Sequence, residues 1–260
     1  MFFKKLIEIN KNDFFSEEKK NYIRKKILDG NILIVRNQFK SKVLRETFKK
    51  LRKKPKFSKN TRMIEGIKNI CYRSVQKGSG QYSTNDYSWY FFPWNKDPYK
   101  LMDKVKKVFH QIVRLNKYDP NILFKNTPKN RFILRAHLMY YPFKTGHISL
   151  HSDPINVTTI TCGIYITSEQ LDYDKGGFYV LDSKKKKFFV DHKINSGDMI
   201  LFYNGLYHGV EPTFLENKKK NLDKINGRVF LNLSILESHE FKDRQFTRGL
   251  KLNEIKSKSK

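Results

Sequence analysis

Residues 131–165 read RFILRAHLMYYPFKTGHISLHSDPINVTTITCGIY. Runs of β-branched and aromatic residues alternate here with turn formers such as Gly146, a pattern that predicts short β-strands. Further runs of the same kind follow before residue 240: GFYVLD, KFFVD, DMILFY and RVFLNLSIL. Many short strands separated by turns are typical of a sandwich or barrel, and a jelly roll of two sheets fits them well. We therefore predict a β-rich core over residues 131–240.

The residues before this core, 1–130, predict mainly helices with short strands. Candidate helices start near Ser16, Ser41 and Asp97, residue types that cap helix N-termini, and apolar side chains follow each of them at helical spacing. An aromatic-rich stretch at 77–95 is interpreted as a loop whose rings pack on the core, with a substrate lid as the alternative.

The end of the chain, residues 241–260, is polar and basic. We expect a C-terminal tail there that frays from Lys251. Together the three segments predict one integrated domain of the α+β class, in which a helical region, 1–130, packs on the β-rich core, 131–240.

The chain is strongly basic, with 53 Lys and Arg against 25 Asp and Glu and a net charge of +28. Two interpretations stay open, a lysine-rich composition bias or an anionic partner such as nucleic acid or a phosphorylated substrate. Cys71 and Cys162 cannot form a disulfide framework. No apolar run is long enough for a signal peptide or a membrane span, so we expect a cytoplasmic protein without membrane contact.

The segment LHSDP places His151 and Asp153 two residues apart, so that both point to the same side of an extended strand. This spacing alone is common, and a surface turn would also explain it. A second histidine, His208, follows the strand-and-turn unit GDMILFYNG. Two imidazoles and one carboxylate on one face form the triad that holds non-haem iron and leaves positions open for an oxidant and a chelating cosubstrate.

The order of five segments makes the pattern specific. YYPFKTGHISLHSDP, VTTITCGIYIT, GGFYV, SGDMILFYNGLYHGVEP and GRVFLNLS occur in this order between Arg131 and Glu237, which is under half of the chain. The string resembles the iron(II) and 2-oxoglutarate dependent oxygenases, above all their prolyl-hydroxylase-like branch. The resemblance implies a double-stranded β-helix, a jelly roll of the cupin-like kind, with His151, Asp153 and His208 as ligands of Fe(2+).

The resemblance also implies that Arg228 binds the distal carboxylate of 2-oxoglutarate, a task that suits the planar fork of a guanidinium. Arg228 follows His208 by 20 residues, which is longer than usual, and Phe230 occupies a position where many relatives carry a hydroxyl residue. Arg135 is therefore the alternative anchor, and an exposed strand-end charge is the alternative role for Arg228. Tyr140 is the candidate cosubstrate-contacting tyrosine, with core packing as its alternative.

The predicted reaction is hydroxylation of a small-molecule substrate, with anionic compounds among the candidates, and conversion of 2-oxoglutarate to succinate and carbon dioxide. A hydroxylase or demethylase of a protein or nucleic-acid target is the first alternative. A nucleic-acid binding protein on an inert jelly roll and a cupin-like enzyme that does not use 2-oxoglutarate are the others. The sequence leaves the substrate and the oligomeric state open.

Overall fold

The computed structural model describes residues 1–53, 70–75, 83–169, 171–215 and 225–255. Its helices are α1 Lys11–Phe15, α2 Lys20–Leu28, α3 Ser41–Lys53, α4 Leu101–Leu115 and α5 Pro120–Leu123. Its strands are β1 Leu6–Ile9, β2 Ile32–Val35, β3 Cys71–Val75, β4 Ser83–Thr84, β5 Asp86–Phe91, β6 Phe132–Pro142, β7 His147–Ser152, β8 Ile160–Tyr165, β9 Lys175–Leu181, β10 Lys187–Phe189, β11 Met199–Tyr203, β12 His208–Phe214, β13 Gly227–Glu237 and β14 Arg248–Gly249.

These strands form two sheets. The large sheet has the order β1-β2-β11-β8-β13-β6-β5-β3, and the small sheet has the order β10-β9-β12-β7-β14, with β4 also paired to β7. The longest pairing joins β13 to β6 in antiparallel register from Gly227–Pro142 to Glu237–Phe132. The two sheets face each other as in a jelly roll, which confirms the predicted double-stranded β-helix.

Strand β6 shows how the large sheet is buried on both faces. Leu134, Leu138 and Tyr140 belong to the core that the helices share with the sheet, whereas Met139 and Tyr141 belong to the core between the two sheets. Neighbouring residues of a strand point to opposite faces, so β6 contributes to both cores, as do β2, β8, β11 and β13. A buried large apolar side chain is worth about 1.5–3 kcal/mol relative to an exposed one, so both layers stabilise the sheet.

The helices of the N-terminal region occur close to where the sequence predicts them. α3 begins at the predicted Ser41, and α4 runs over the predicted apolar stripe. The predicted start at Asp97 is early, because α4 begins at Leu101. Asp97 nevertheless accepts hydrogen bonds from the backbone N–H groups of Tyr99 and Met102, so its carboxylate satisfies donors at this helix end.

Two segments differ from the predicted loop and tail. Part of the aromatic stretch at 77–95 forms strand β5, in which Trp89 and Phe91 are buried in the helix-side core. The prediction that these rings pack on the core is confirmed, but the prediction of a loop is wrong for this part, because it is a strand. Residues 77–82 of that stretch lie outside the described residues. The tail does not fray at Lys251, because a short 3-10 turn follows and Ile255 is buried; 256–260 lie outside the described residues.

The N-terminal residues are also part of the large sheet. Strands β1 and β2 pair in parallel, and β2 continues the sheet through β11. The division at residue 130 into a helical support and a β-rich core remains a prediction. In the described part of the chain, no helix combines the length and the apolarity needed to cross a membrane.

Candidate metal centre and cavity

Two histidines lie opposite each other on neighbouring strands of the small sheet. His151 on β7 is the register partner of His208 on β12, and their ring centroids are 4.1 Å apart. Cross-strand partners project to the same face of a sheet. Both side chains are buried and line the space between the two sheets, so the pairing of β7 with β12 brings the two imidazoles together.

Asp153 lies just beyond the end of β7. Its backbone N–H donates to the carbonyl of Asn204, 3.0 Å away, which fixes the chain as it leaves the strand. The carboxylate oxygens then lie 4.0 Å from His151 Nε2 and 3.7 Å from His208 Nε2. The three ligand atoms all lie within 4.8 Å of one another. The structure therefore brings together the three residues that the sequence predicts as metal ligands.

The ring nitrogens are oriented by backbone carbonyls. His151 Nδ1 lies 2.7 Å from the carbonyl of Ser149, and His208 Nδ1 lies 2.8 Å from the carbonyl of Leu206. A carbonyl only accepts, so each Nδ1 carries a hydrogen, and each Nε2 is the ring nitrogen that faces Asp153. This is the tautomer that a metal-ligating imidazole with an Nδ1–H partner adopts.

Burial and charge prepare the three groups for a cation. Burial lowers the pKa of His208 to about 4, helped by the neighbouring His151 and opposed by Asp153, so the ring is neutral at neutral pH. Burial raises the pKa of Asp153, but His151, His208 and the hydroxyl of Thr247 bring it below its ordinary value. Two imidazoles and a carboxylate form a donor set for Fe(II), with further coordination positions left open.

Thr247 is a site residue that the sequence analysis missed. Its hydroxyl donates to Asp153 Oδ1 over 2.6 Å. Directly after it, strand β14 pairs with β7, so that Gly249 lies opposite His151. A lone threonine in a polar, basic segment carries no sequence signal for such a role.

The three candidate ligands line a cavity of about 700 Å³ between the sheets. Alternate residues of β13 face this cavity, namely Arg228, Phe230, Asn232 and Ser234. At a rise of about 3.4 Å per residue, the row from the first to the last of them extends about 20 Å along the wall. The cavity wall is therefore long enough for two small molecules end to end beside the candidate ligands.

Arg228 lies in this wall and is almost completely buried. Its Nε and Nη2 donate to Asp191, at 2.7 and 3.4 Å. Burial lowers the pKa of Arg228, but Asp191, Tyr165 and Tyr173 raise it above its ordinary value, so the guanidinium stays charged. Within the described residues Nη1 makes no hydrogen bond, which leaves donor capacity on a guanidinium that has five N–H groups.

Asp191 was also missed by the sequence analysis. Besides Arg228, it accepts hydrogen bonds from the hydroxyls of Tyr165 and Tyr173, at 2.6 and 2.7 Å, and from the backbone N–H of Phe178 at 3.1 Å. A buried carboxylate with this number of donors holds the arginine in one orientation. Its position after KFFV in the chain gives no local indication of a partner 37 residues away.

The structure corrects the expectation for Tyr140. Its ring packs in the helix-side core with Phe48, and its hydroxyl donates to the carbonyl of Asn226. It does not line the cavity, whereas Tyr141, its neighbour, does. The apolar face that Tyr140 shares with Leu134 and Leu138 is the face toward the helices. The alternative anchor Arg135 does line the cavity. It lies on β6 beside Ser234, its register partner on β13.

Solved structures of other proteins share the fold of this chain. No protein-family model matches the chain, and no curated protein matches its sequence. Among solved structures, the chain is similar to a Pseudomonas putida prolyl-4-hydroxylase, with 13% identity and a TM-score of 0.50 over 85% of this chain and 99% of the other. It is also similar to a provisionally named oxygenase from Shewanella oneidensis, with 11% identity and a TM-score of 0.50 over 93% and 94% of the two chains. The chain thus has the double-stranded β-helix fold of these oxygenase structures.

Proposed function

We propose that the chain is an Fe(II)- and 2-oxoglutarate-dependent dioxygenase that hydroxylates a small molecule. One observation carries this proposal: His151, Asp153 and His208 converge on a cavity whose wall also contains the buried Arg228. The fold shared with a prolyl-4-hydroxylase structure and with the Shewanella protein supports it. When bound, Fe(II) with 2-oxoglutarate and dioxygen supplies the oxidant for an unactivated C–H bond and releases succinate and carbon dioxide.

The three ligands would hold the iron through two Nε2 atoms and one carboxylate. Their own hydrogen bonds, to the carbonyls of Ser149 and Leu206 and from Thr247, fix ring and carboxylate orientation before the metal arrives. Such partners typically contribute 10–100-fold to metal affinity. No side chain is required as a general base, because the ligands only bind and orient.

Arg228 would pair with the distal carboxylate of 2-oxoglutarate. A buried carboxylate needs a fixed partner, and the described residues leave one nitrogen of this guanidinium without a hydrogen bond. The residues around it exclude water: the rings of Tyr165 and Phe230 have their centroids 5.1 and 4.6 Å from its Cζ. Phe178 and Phe202 cover His208 in the same way, at centroid distances of 5.6 and 5.4 Å.

The size of the cavity supports a small-molecule substrate. About 700 Å³ lies within the range of roughly 300–1,000 Å³ that holds a metabolite-sized ligand. It leaves room for a compound beside 2-oxoglutarate. The net charge of +28 gives no equally specific support to a nucleic-acid target, because charge alone does not distinguish a nucleic-acid strand from any other anion.

The test is succinate formation and metal content in matched variants. The protein is loaded with Fe(II) without oxygen and then exposed to air with 2-oxoglutarate. His151→Ala and His208→Ala should lose bound iron and succinate formation, whereas His147→Ala should keep both, since His147 is on the same strand but outside the cavity wall. Iron binding that survives in both cavity variants, or 2-oxoglutarate that is never consumed by the wild type, would contradict the proposal.

A further inference from the structure

The large sheet presents uncharged polar side chains to the cavity, apart from the candidate metal and cosubstrate sites. Asn204, directly after β11, and Asn232 and Ser234 on β13 all line the wall. Asn204 Oδ1, Asn232 Oδ1 and Ser234 Oγ are buried, and none of them has a hydrogen-bond partner in the described structure. Asn204 and Ser234 are each only 5% exposed. Native proteins rarely leave buried polar atoms without partners, so these three oxygens require an explanation.

Strand register places these side chains on one part of the wall. In the large sheet β8 lies between β11 and β13, and its Cys162 is the register partner of both Leu201 and Leu233. Phe202 and Ser234, the next residue of each strand, are therefore level with each other and face the cavity. Each asparagine is two residues from one of them, and residues two apart in a strand share a face. The two polar side chains of β13 are about 7 Å apart along the strand.

This part of the wall lies at the level of the candidate metal ligands. The ring centroid of Phe202, which is level with Ser234, lies 5.4 Å from that of His208. On the same side, the backbone carbonyl of Asn204 accepts a hydrogen bond from the backbone N–H of Asp153 over 3.0 Å. A molecule bound to the unpartnered oxygens would therefore lie beside the ligands.

The chemistry of the three side chains favours neutral hydrogen-bond donors. Asn204 Nδ2 donates to the carbonyls of Pro154 and Thr158, at 3.3 and 2.8 Å, so the orientation of this amide is fixed and its oxygen is the atom without a partner. An amide oxygen only accepts, and a serine hydroxyl accepts or donates. None of the three side chains carries a charge that would compensate a buried ammonium or carboxylate. Hydroxyl and amide N–H groups are the neutral donors that fit.

We propose that Asn232 and Ser234, with Asn204 as a further acceptor, bind hydroxyl or amide N–H groups of a neutral polar small molecule. This inference rests on the proposed function, because it assigns the substrate class of the same cavity. Phe178 and Phe202, which also line the cavity, would contact apolar parts of that molecule. The hydrogen bonds to β13 would determine which of its C–H bonds lies beside the candidate ligands.

Two buried serines form a matched pair for the first experiment, which is thermal unfolding. Ser234 Oγ has no hydrogen-bond partner, whereas Ser238 Oγ, outside the cavity wall, donates to the carbonyl of Pro128 over 2.6 Å. Ser238→Ala should lower the melting temperature because a made hydrogen bond is lost, and Ser234→Ala should leave it unchanged or raise it. A decrease in Ser234→Ala as large as that in Ser238→Ala would assign Ser234 a structural role and overturn the subsite.

The second experiment measures binding of matched probes to the full-length protein by ligand-observed NMR, in the presence of excess 2-oxoglutarate. Styrene glycol and phenylacetamide carry neutral donors, benzyl methyl ether carries none, and phenylacetate is charged. We expect the glycol or the amide to bind about tenfold more tightly than the ether and phenylacetate, because about one additional hydrogen bond is worth this factor. Ser234→Ala and Asn232→Leu should each weaken that probe about three- to tenfold, and Ser238→Ala should not.

The outcomes separate the subsite from the proposed function. Equal binding of the donor probes and the ether, tighter binding of phenylacetate, no binding of any probe, or full affinity in both β13 variants would overturn the subsite. Preference for the glycol or for the amide supports it and identifies the group that is recognised. Donor binding that depends on Ser234 and Asn232 in a protein that never forms succinate would retain the subsite and refute the oxygenase. Succinate formation without donor-dependent binding would do the reverse.

Discussion

Replacing Arg228 with leucine should affect both the stability of the fold and the binding of 2-oxoglutarate, and a second substitution, at Asp191, separates the two effects. In the folded protein the arginine is the counterion of Asp191, and in the proposed complex it also binds 2-oxoglutarate. Arg228→Leu leaves Asp191 buried without its cation. Removing one partner of a buried ion pair costs about 3–5 kcal/mol. The lower end applies here, because Asp191 keeps three donors, from Tyr165, Tyr173 and Phe178.

A loss of about 3 kcal/mol lowers the melting temperature by about 6–12 °C in a protein of this size. The apparent 2-oxoglutarate constant should rise about a hundredfold or more, since losing the charged partner of a buried carboxylate is worth a similar free energy. The double variant Arg228→Leu/Asp191→Asn removes the stranded charge. The tyrosine hydroxyls can reorient to accept from an amide, so part of the lost stability should return.

The assay pairs thermal unfolding with succinate formation at increasing 2-oxoglutarate, and iron content is measured in parallel. The double variant should recover melting temperature while its 2-oxoglutarate constant stays high. If affinity for 2-oxoglutarate returns together with stability, Arg228 acts only through the fold and the anchoring role is refuted. A normal constant in Arg228→Leu with a large rise in Arg135→Leu would transfer the anchor to Arg135.

Three further changes follow from contacts in the site. Thr247→Val should weaken iron binding about 10–100-fold in a metal competition assay by removing the hydroxyl from Asp153, and Thr247→Ser should restore it. The pKa of His137 in the folded protein lies well below its ordinary value of 6.5, so protons bind the unfolded chain first and stability is lost as the pH falls below about 6.5. Denaturant titrations of His137→Gln between pH 5 and pH 7 (roughly the range in which histidine titrates) should show a shallower loss, and an unchanged slope would exclude this histidine as its source. Gly163→Ala would place a Cβ 1.7 Å from the ring of Phe230, and this overpacking should cost about 1–3 kcal/mol in the same titrations, whereas wild-type stability would show that the ring moves freely.

The sequence predicts the parts of the site that depend on local spacing or on ordered segments. His151 and Asp153 are two residues apart, and His208 opens the strand that pairs with the strand of His151, so residue spacing and segment order suffice for them. Tyr140 could not be placed in this way. Alternation determines that it and Tyr141 face opposite sides, but a strand buried on both faces gives no sign of which side contains the cavity.

Thr247 and Asp191 depend on contacts between distant parts of the chain. Thr247 reaches Asp153 across 94 residues, and Asp191 reaches Arg228 across 37. Neither is part of a repeated pattern or of a charged motif, so no local rule distinguishes it from an ordinary polar residue. Both become visible only when the sheets are assembled and their hydrogen bonds are traced.

The C-terminal segment 247–250 contacts the candidate ligands, so docking of this segment and metal binding depend on each other. Leu250 donates its backbone N–H to the carbonyl of Leu150, next to His151, while Thr247 bonds to Asp153. Linkage is reciprocal: whatever a docked segment adds to metal affinity, the bound metal returns as resistance of that segment to undocking. Amide-exchange protection of residues 247–250 would then rise and fall with metal occupancy. Hydrogen exchange in this segment would therefore report how much of the protein has metal bound, without any measurement of turnover.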